Sequence, residues 1–245
     1  MTPAYTRYLG KVRDQLQQAA DNTGPVAVAA DLIAEAMGRG RPVYVFGASH
    51  AGLMAQDLFY RAGGLVPVVP ILPAGLMLNE RPVQRTSHLE RTPGVAATFM
   101  ADVPLEAGDV VIVISVSGRN PVPVEVATYA RERGATVIAL TAVAFSASQP
   151  ARGGQRLYEV ADIVLDLPVL PGDAVLELDG LDVRVGPTSS AVGVAMLHGL
   201  MCEAARRLIE AGVTPPVLVS GNIDGADERN DVLFAQYRDR IRYVG

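Results

Sequence analysis

The sequence predicts a doubly wound α/β fold: a mainly parallel five-stranded sheet in the order 2-1-3-4-5, with helices added at both ends. Three observations carry this. Between residues 41 and 168, apolar runs of strand length alternate with helical patterns, the spacing of repeated β-α-β units. Two of those runs, VYVF and VVIVI, are apolar without alternation, as in strands buried on both faces. The run LVPVVPIL carries Pro67 and Pro70, and a proline-bearing strand belongs at an edge, which places the second strand outside the first.

The elements follow in order. Residues 4–20 read as an amphipathic helix, and 25–38 as a second helix opened by Pro25 at its first position and closed near Gly38 and Gly40. RPVYVFGASH is a strand running into a Gly/Ser turn, and AGLMAQDLFYRAG is a helix stopped by Gly63 and Gly64. After the edge strand, Leu78–Gly94 is a long charged loop, of the kind that carries function disproportionately often. DVVIVISVSGRN is the third strand and PVPVEVATYARERG the helix after it, stopped by Gly134. ATVIALT and ADIVLDLP supply the last two strands. AVLELDGLDVRVG alternates around Asp179-Gly180 and predicts a β-hairpin. Thr188–Ala211 is a long apolar helix, and the polar tail 224–242 reads as helical. The whole reads as a single domain: 1–40 helical, 41–168 the α/β core, 169–245 hairpin and helices.

Composition narrows the chemistry. The 245 residues carry 21 basic and 26 acidic side chains, a net charge of -5, which argues against a nucleic-acid or anionic-membrane partner. Cys202 is the single cysteine, so neither an internal disulfide nor a cysteine metal cluster is expected. The first residues lack the apolar run of a signal peptide, and no apolar stretch reaches the ~20 residues that span a bilayer, so a cytoplasmic location is expected. Lys11 is the only lysine and lies in the first helical pattern, which disfavours a Schiff-base mechanism. An anion must then be held by arginine, hydroxyls or backbone amides.

Two strand-end turns fit that requirement. In VYVFGASHAG, Gly47-Ala48-Ser49-His50 joins a strand directly to a helix, where backbone amides and the helix dipole favour an anion and Ser49 adds a hydroxyl. The alternative is a tight turn with Ser49 as a helix N-cap. In VVIVISVSGRN, Ser115 and Ser117 flank one residue, Gly118 lets the backbone approach closely, and Asn120-Pro121 opens the next helix; such a turn forms an anion nest without lysine. Turn and capping chemistry is again the alternative. In the order 2-1-3-4-5 these loops flank the point where strand order reverses, the ligand crevice of open α/β sheets.

This pair of turns resembles the SIS (sugar isomerase) family, whose second signature is a Ser-x-Ser-Gly-x-Thr loop after a strand. Here it stands as Ser115-Val116-Ser117-Gly118-Arg119-Asn120, with asparagine in place of threonine, and the first loop as Gly47-Ala48-Ser49. The resemblance covers about residues 40–168 and extends into the helix after GPTSS; with its two opening helices and hairpin, the chain looks like a stand-alone SIS subgroup. It implies a flavodoxin-like fold, a sugar-phosphate ligand held by Gly47, Ser49, His50, Ser115, Ser117, Gly118 and Asn120, no cofactor and no metal, and a homo-oligomer, dimer or tetramer. Family members act as isomerases, as lyases of amino-sugar 6-phosphates, or as sugar-sensing domains. Thr188, Ser189 and Ser190 of GPTSS open the long helix and are expected to donate to the sugar phosphate, although an N-cap explains one of them equally well.

Chemistry on such a ligand needs a base for the C2 proton. Glu90 and His88, in the polar loop, lead; Glu80 is the rival. His198, on the apolar helix, reads as a core or interface histidine. Ser220–Asn230 reads as the N-cap and acidic first turn of the last helix, or, more sharply, as a segment closing over a neighbour's site. The favoured reading is a lyase or dehydratase acting on an amino-sugar 6-phosphate such as N-acetylglucosamine 6-phosphate, because the family's glucosamine 6-phosphate isomerases use a lysine near the sugar. An aldose–ketose isomerase and a non-catalytic sensor are the alternatives. A nucleotide-binding protein is disfavoured, since Gly47-Ala48-Ser49 lacks the spaced glycines and no acidic residue ends LVPVVPIL.

Overall fold

Residues 2–241 and 243 are described by a computed structural model. Two helices open the chain, α1 (Ala4–Asp21) and α2 (Thr23–Gly38). The break between them is the single residue Asn22 (φ -102°, ψ 68°), so α2 restarts at Thr23 and Pro25 is its third residue rather than its first. Proline is tolerated there because the first N–H groups of a helix have no acceptor within it.

β1 (Val43–Gly47), α3 (His50–Leu58) and β2 (Val68–Ile71) follow. The charged loop is not structureless. It folds a short helix, α4 (Gln84–Glu90), and a second, α5 (Val95–Met100), leads to β3 (Val110–Ile114). Then come α6 (Pro121–Glu132), β4 (Thr136–Thr141), the short α7 (Val143–Ala147) and α8 (Leu157–Val160), and β5 (Ile163–Asp166). All five strands are parallel, in the order β2-β1-β3-β4-β5, with the proline-bearing β2 at an edge.

β1 and β3, at the centre of the sheet, are buried on both faces, which is why they are apolar throughout. Val43, Val45, Ile112, Ile114, Ile138 and Leu140 face α2, α3 and the later long helix, while Tyr44, Phe46, Val111, Val113, Val137 and Ala139 face α5 and α6. Each such side chain contributes about 1.5–3 kcal/mol by leaving water.

The hairpin is looser than its alternation suggests. β6 (Ala174–Leu176) and β7 (Val185–Pro187) pair antiparallel, Ala174 with Pro187 and Leu176 with Val185. The turn does fall at Asp179-Gly180, closed by Leu181 N donating to Leu178 O, but the residues on either side of it leave the ladder. α9 (Ser189–Glu210) and α10 (Ala226–Tyr237) complete the chain.

The segment before α10 runs along the N-terminal edge of the sheet, where Leu65 bridges Val217. Its acidic residues Asp227 and Glu228 occupy the first turn of α10, where the helix dipole favours them. Beyond α10, Arg240 reaches the fully buried Asp109 and, with Arg41, surrounds its carboxylate. This contact lies at the end of the sheet opposite the strand-end turns. Among the described residues, no helix is long and apolar enough to cross a membrane.

Candidate functional site

The two strand-end turns leave the sheet side by side. Gly47, the last residue of β1, is in register with Ile114, the last residue of β3. β1 continues the sheet towards β2 and β3 towards β4, so this pair is where strand order reverses.

The first turn is tight and strained. α3 begins at His50 with no spare residue, and Ser49 is driven to φ 55°, ψ -123°. A side chain rarely adopts such a conformation, and it costs of order 1–3 kcal/mol. Ser49 occupies the N-cap position, but its hydroxyl makes no cap hydrogen bond; its N–H instead donates to Leu76 O at 2.7 Å. The close approach requires glycine on either side. A Cβ at Gly47 would lie 2.4 Å from the Ala51 carbonyl, and one at Gly52 would lie 2.9 Å from Gly47 O. His50 is exposed.

The second turn is built to the same end. Ser115 N extends the ladder to Leu140 O, and Gly118 N closes back on Ser115 O at 3.1 Å. Gly118 sits at φ 56°, and a Cβ there would lie 2.7 Å from Thr141 Oγ1 and 3.0 Å from Ser146 Oγ. Ser115 is buried and Ser117 half-buried. Asn120 (φ -83°, ψ 149°) is the N-cap residue of α6, and Pro121 follows at its first position, yet the Asn120 side chain does not cap. It bridges two charges: Nδ2 donates to Glu90 Oε1 at 2.8 Å, and Oδ1 accepts from Arg152 Nη1 at 2.6 Å. The charges fix the amide's orientation, with NH₂ towards the carboxylate and the carbonyl towards the guanidinium.

The polar loop connects both turns. Leu76 O takes the Ser49 N–H, a Cβ on the neighbouring Gly75 (φ 88°) would lie 2.6 Å from Leu89 Cδ1, and the next residue, Glu90, reaches Asn120. This separates the three acid/base candidates. Glu80 Oε1 accepts from Gly75 N at 2.8 Å and so holds its own loop. His88 is exposed on α4. Glu90 alone of the three hydrogen-bonds to the Ser115–Asn120 turn. Burial raises its pKa above the ordinary value, against the opposing pull of the Asn120 hydrogen bond and of Arg91 and Arg152.

The residues that sequence reading missed here are arginines. Arg152 N donates to Arg119 O at 2.9 Å, which lays the 150–154 loop along the Ser115–Asn120 turn. Arg152 has a lowered pKa, through desolvation first and then the nearby Arg119 and Arg91. Arg119 Nε is buried without a hydrogen-bond partner among the described residues. The one signal for this in the sequence was the near absence of lysine, which left arginine as the cation for an anionic ligand.

GPTSS is anchored from a distance. The Asp173 carboxylate accepts from Thr188 N at 3.0 Å, from Ser189 N at 2.8 Å and from Ser189 Oγ at 2.6 Å. The Ser189 hydroxyl is thus engaged by Asp173. Thr188 is fully buried, with no partner for Oγ1 among the described residues, and Ser190 is half-buried. Gly193 packs on Leu140 and Met54, which keeps the opening turns of α9 against the C-terminal end of β4. His198, further along α9, pairs with Asp57 at 2.8 Å, beside Arg61. Among the described residues, no three His, Cys, Asp or Glu side chains are grouped to hold a metal ion.

Comparison with known proteins agrees with this architecture. The SIS domain model matches residues 7–142. A UPF0309 protein of Halalkalibacterium halodurans is 44% identical over 241 residues, covering 96% of this chain and 95% of its own. Another, of Listeria innocua, is 43% identical over 215 residues, 87% of each chain. Among solved structures, the phosphoheptose isomerase of Neisseria gonorrhoeae superposes with a TM-score of 0.55 at 17% identity, over 82% of this chain and 97% of its own. The Vibrio vulnificus NanR protein complexed with ManNAc-6P gives a TM-score of 0.51 at 18% identity, over 98% of this chain and 70% of its own. At such identities these two superpositions speak for the fold alone. The sheet order, the paired Gly/Ser turns, the domain match and the full-length relatives together make this chain a member of the SIS domain family, alongside the UPF0309 proteins.

Proposed function

We propose that the chain is an enzyme acting on an amino-sugar 6-phosphate, such as N-acetylglucosamine 6-phosphate, by abstraction of the C2 proton. The observation that carries this is the meeting of a half-buried carboxylate, Glu90, with the Ser115–Asn120 turn through Asn120. The phosphate sits at the N-terminus of α6, taking backbone N–H groups of Val116, Ser117 and Arg119 and the hydroxyls of Ser115 and Ser117; Ser49 and His50 face it from the adjoining strand end. Thr188 and Ser190 border the sugar.

Glu90 takes the C2 proton of the ring-opened aldehyde, leaving an enolate. Loss of the C3 oxygen substituent, protonated as it departs, then gives an unsaturated aldehyde: the lyase or dehydratase outcome. A raised pKa suits a base that must also return a proton near neutrality. The fold likeness to phosphoheptose isomerases of Neisseria gonorrhoeae and Francisella tularensis favours a second reading, an aldose–ketose isomerase whose substrate is a sugar phosphate with a 2-hydroxyl: Glu90 takes the C2 proton, the O2 proton passes to O1, and C1 is protonated to leave the carbonyl at C2. The chain further acts as a homo-oligomer in this reading. An apolar groove of about 440 Å³, lined by Leu16, Val26, Met196 and Leu200 of α1, α2 and α9, supports a subunit surface there.

The test is incubation with N-acetylglucosamine 6-phosphate and, separately, with an aldose phosphate that carries a 2-hydroxyl, each followed by ultraviolet absorbance and product analysis. An unsaturated product from the first supports elimination, and a ketose phosphate from the second supports isomerisation. Saturable binding without turnover means a sensor.

A further inference from the structure

We infer that Arg152, held in place by Asn120, is the charged ligand of the substrate's phosphate. The inference rests on the phosphosugar reading above and adds to it a residue from outside both strand-end turns.

The geometry is that of a guanidinium delivered to the mouth of the turn. Two contacts fix it: the Arg152 backbone N–H on Arg119 O at 2.9 Å, and Nη1 on Asn120 Oδ1 at 2.6 Å. The following residue, Gly153, packs on Pro121, the first residue of α6, so the loop lies against the N-terminal end of that helix, where Val122 and Val124 carry N–H groups beside the prolines. Asn120 uses one of its two polar ends on Arg152 and the other on Glu90, which makes it a positioning residue for both.

The charge balance calls for an anion. Arg91, Arg119 and Arg152 stand near one another, and none of them forms a salt bridge among the described residues. Arginines at other places in the fold do reach carboxylates, as at Asp57, Asp109, Asp162 and Glu203. The one acid in the cluster, Glu90, is itself held towards its neutral form by burial. Three arginines beside a single carboxylate leave an excess of positive charge at the Ser115–Asn120 turn, and that suits a phosphate dianion, which a guanidinium binds through two parallel hydrogen bonds. In this scheme the asparagine that replaces the family's threonine gives up a direct hydroxyl contact and recruits a full charge instead.

The experiment is calorimetric titration of the full chain with N-acetylglucosamine 6-phosphate, and separately with inorganic phosphate. Arg152→Gln, Arg152→Lys, Asn120→Ala and Ser115→Ala are compared with the unchanged protein, with thermal unfolding as the control for folding. Loss of a charge-assisted hydrogen bond predicts about 10- to 100-fold weaker binding of both probes by Arg152→Gln. It also predicts partial rescue by Arg152→Lys and a shallower dependence of affinity on ionic strength in Arg152→Gln. Asn120→Ala is expected to weaken binding less, because Arg152 remains but loses its tether. If Ser115→Ala weakens binding while Arg152→Gln and Arg152→Lys bind as the unchanged protein does, the inference is overturned and the phosphosugar reading stands. If Ser115→Ala also binds unchanged, the phosphosugar reading itself fails.

Discussion

Glu90 Oε1 accepts a hydrogen bond from Asn120 Nδ2 at 2.8 Å, across 30 positions of sequence. The contact joins the end of α4 to the N-cap of α6 and so brings a carboxyl group to the Ser115–Asn120 turn. Burial pushes the Glu90 pKa up, while Asn120, Arg91 and Arg152 pull it down. Burial prevails.

Replacing Glu90 with Gln keeps the volume and an acceptor for Asn120 but removes the base. Turnover should fall by about 10²- to 10⁴-fold, the usual contribution of a general base, with little change in ligand affinity. Steady-state kinetics on the substrate found in the turnover assay reads this directly. The acid limb of the rate profile of the unchanged protein should lie above the ordinary glutamate value of 4.5.

The same residue sets a stability trend. A carboxyl whose pKa is higher folded than unfolded binds more protons in the native state between the two values, so its contribution falls as pH rises through that window. Above 4.5, the unfolded-type value, the native state of the unchanged protein loses stability that Glu90→Gln retains. The Tm of the variant minus that of the parent should therefore be more positive at pH 7 than at pH 4.

Ser49 tests whether strain is stored at the first turn. Ser49→Ala removes the hydroxyl and leaves the backbone at φ 55°, whereas Ser49→Gly removes the hydroxyl and relieves the strain. Denaturant unfolding should show Ser49→Gly more stable than Ser49→Ala by about 1 kcal/mol, the scale of the left-handed penalty. Both variants should bind phosphosugar more weakly.

Gly118 and Gly154 share a positive φ but differ in surroundings. A Cβ at Gly118 meets Thr141 Oγ1 at 2.7 Å; one at Gly154 meets nothing within 4 Å. Gly154→Ala should cost about 1–2 kcal/mol, the backbone penalty alone, and Gly118→Ala about 1–3 kcal/mol more, by overpacking. Equal costs in equilibrium unfolding would contradict the packing described for the second turn.

Asp173 holds the start of α9 through three hydrogen bonds, to the N–H groups of Thr188 and Ser189 and the Ser189 hydroxyl. Asp173→Ala should destabilise the protein by about 1–3 kcal/mol, the cost of a lost cap together with stranded polar groups. Thermal unfolding measures it.

These residues also mark how far the sequence could be read. β1 and β3 were legible because a strand buried on both faces must be apolar throughout, and β2 because Pro67 and Pro70 suit only an edge. The adjacency of the Ser49 and Ser115 turns followed from that order. α4 was read as loop because QRTSHLE shows no apolar face; its position comes from Leu89 packing on Gly75. Asp173 and Arg152 were out of reach for a different reason. Each acts on a turn 15 to 32 positions away, through contacts that only the folded chain creates. The bridging role of Asn120 was equally hidden, since an asparagine before Pro121 reads locally as a cap.

Convergence of the two strand-end turns on one anion is open to an NMR titration of isotope-labelled protein with N-acetylglucosamine 6-phosphate. Amides of residues 48–50 and of 116–120 should shift together and saturate along one binding curve. Shifts in only one of the turns, or saturation of the two at different ligand concentrations, would contradict that convergence.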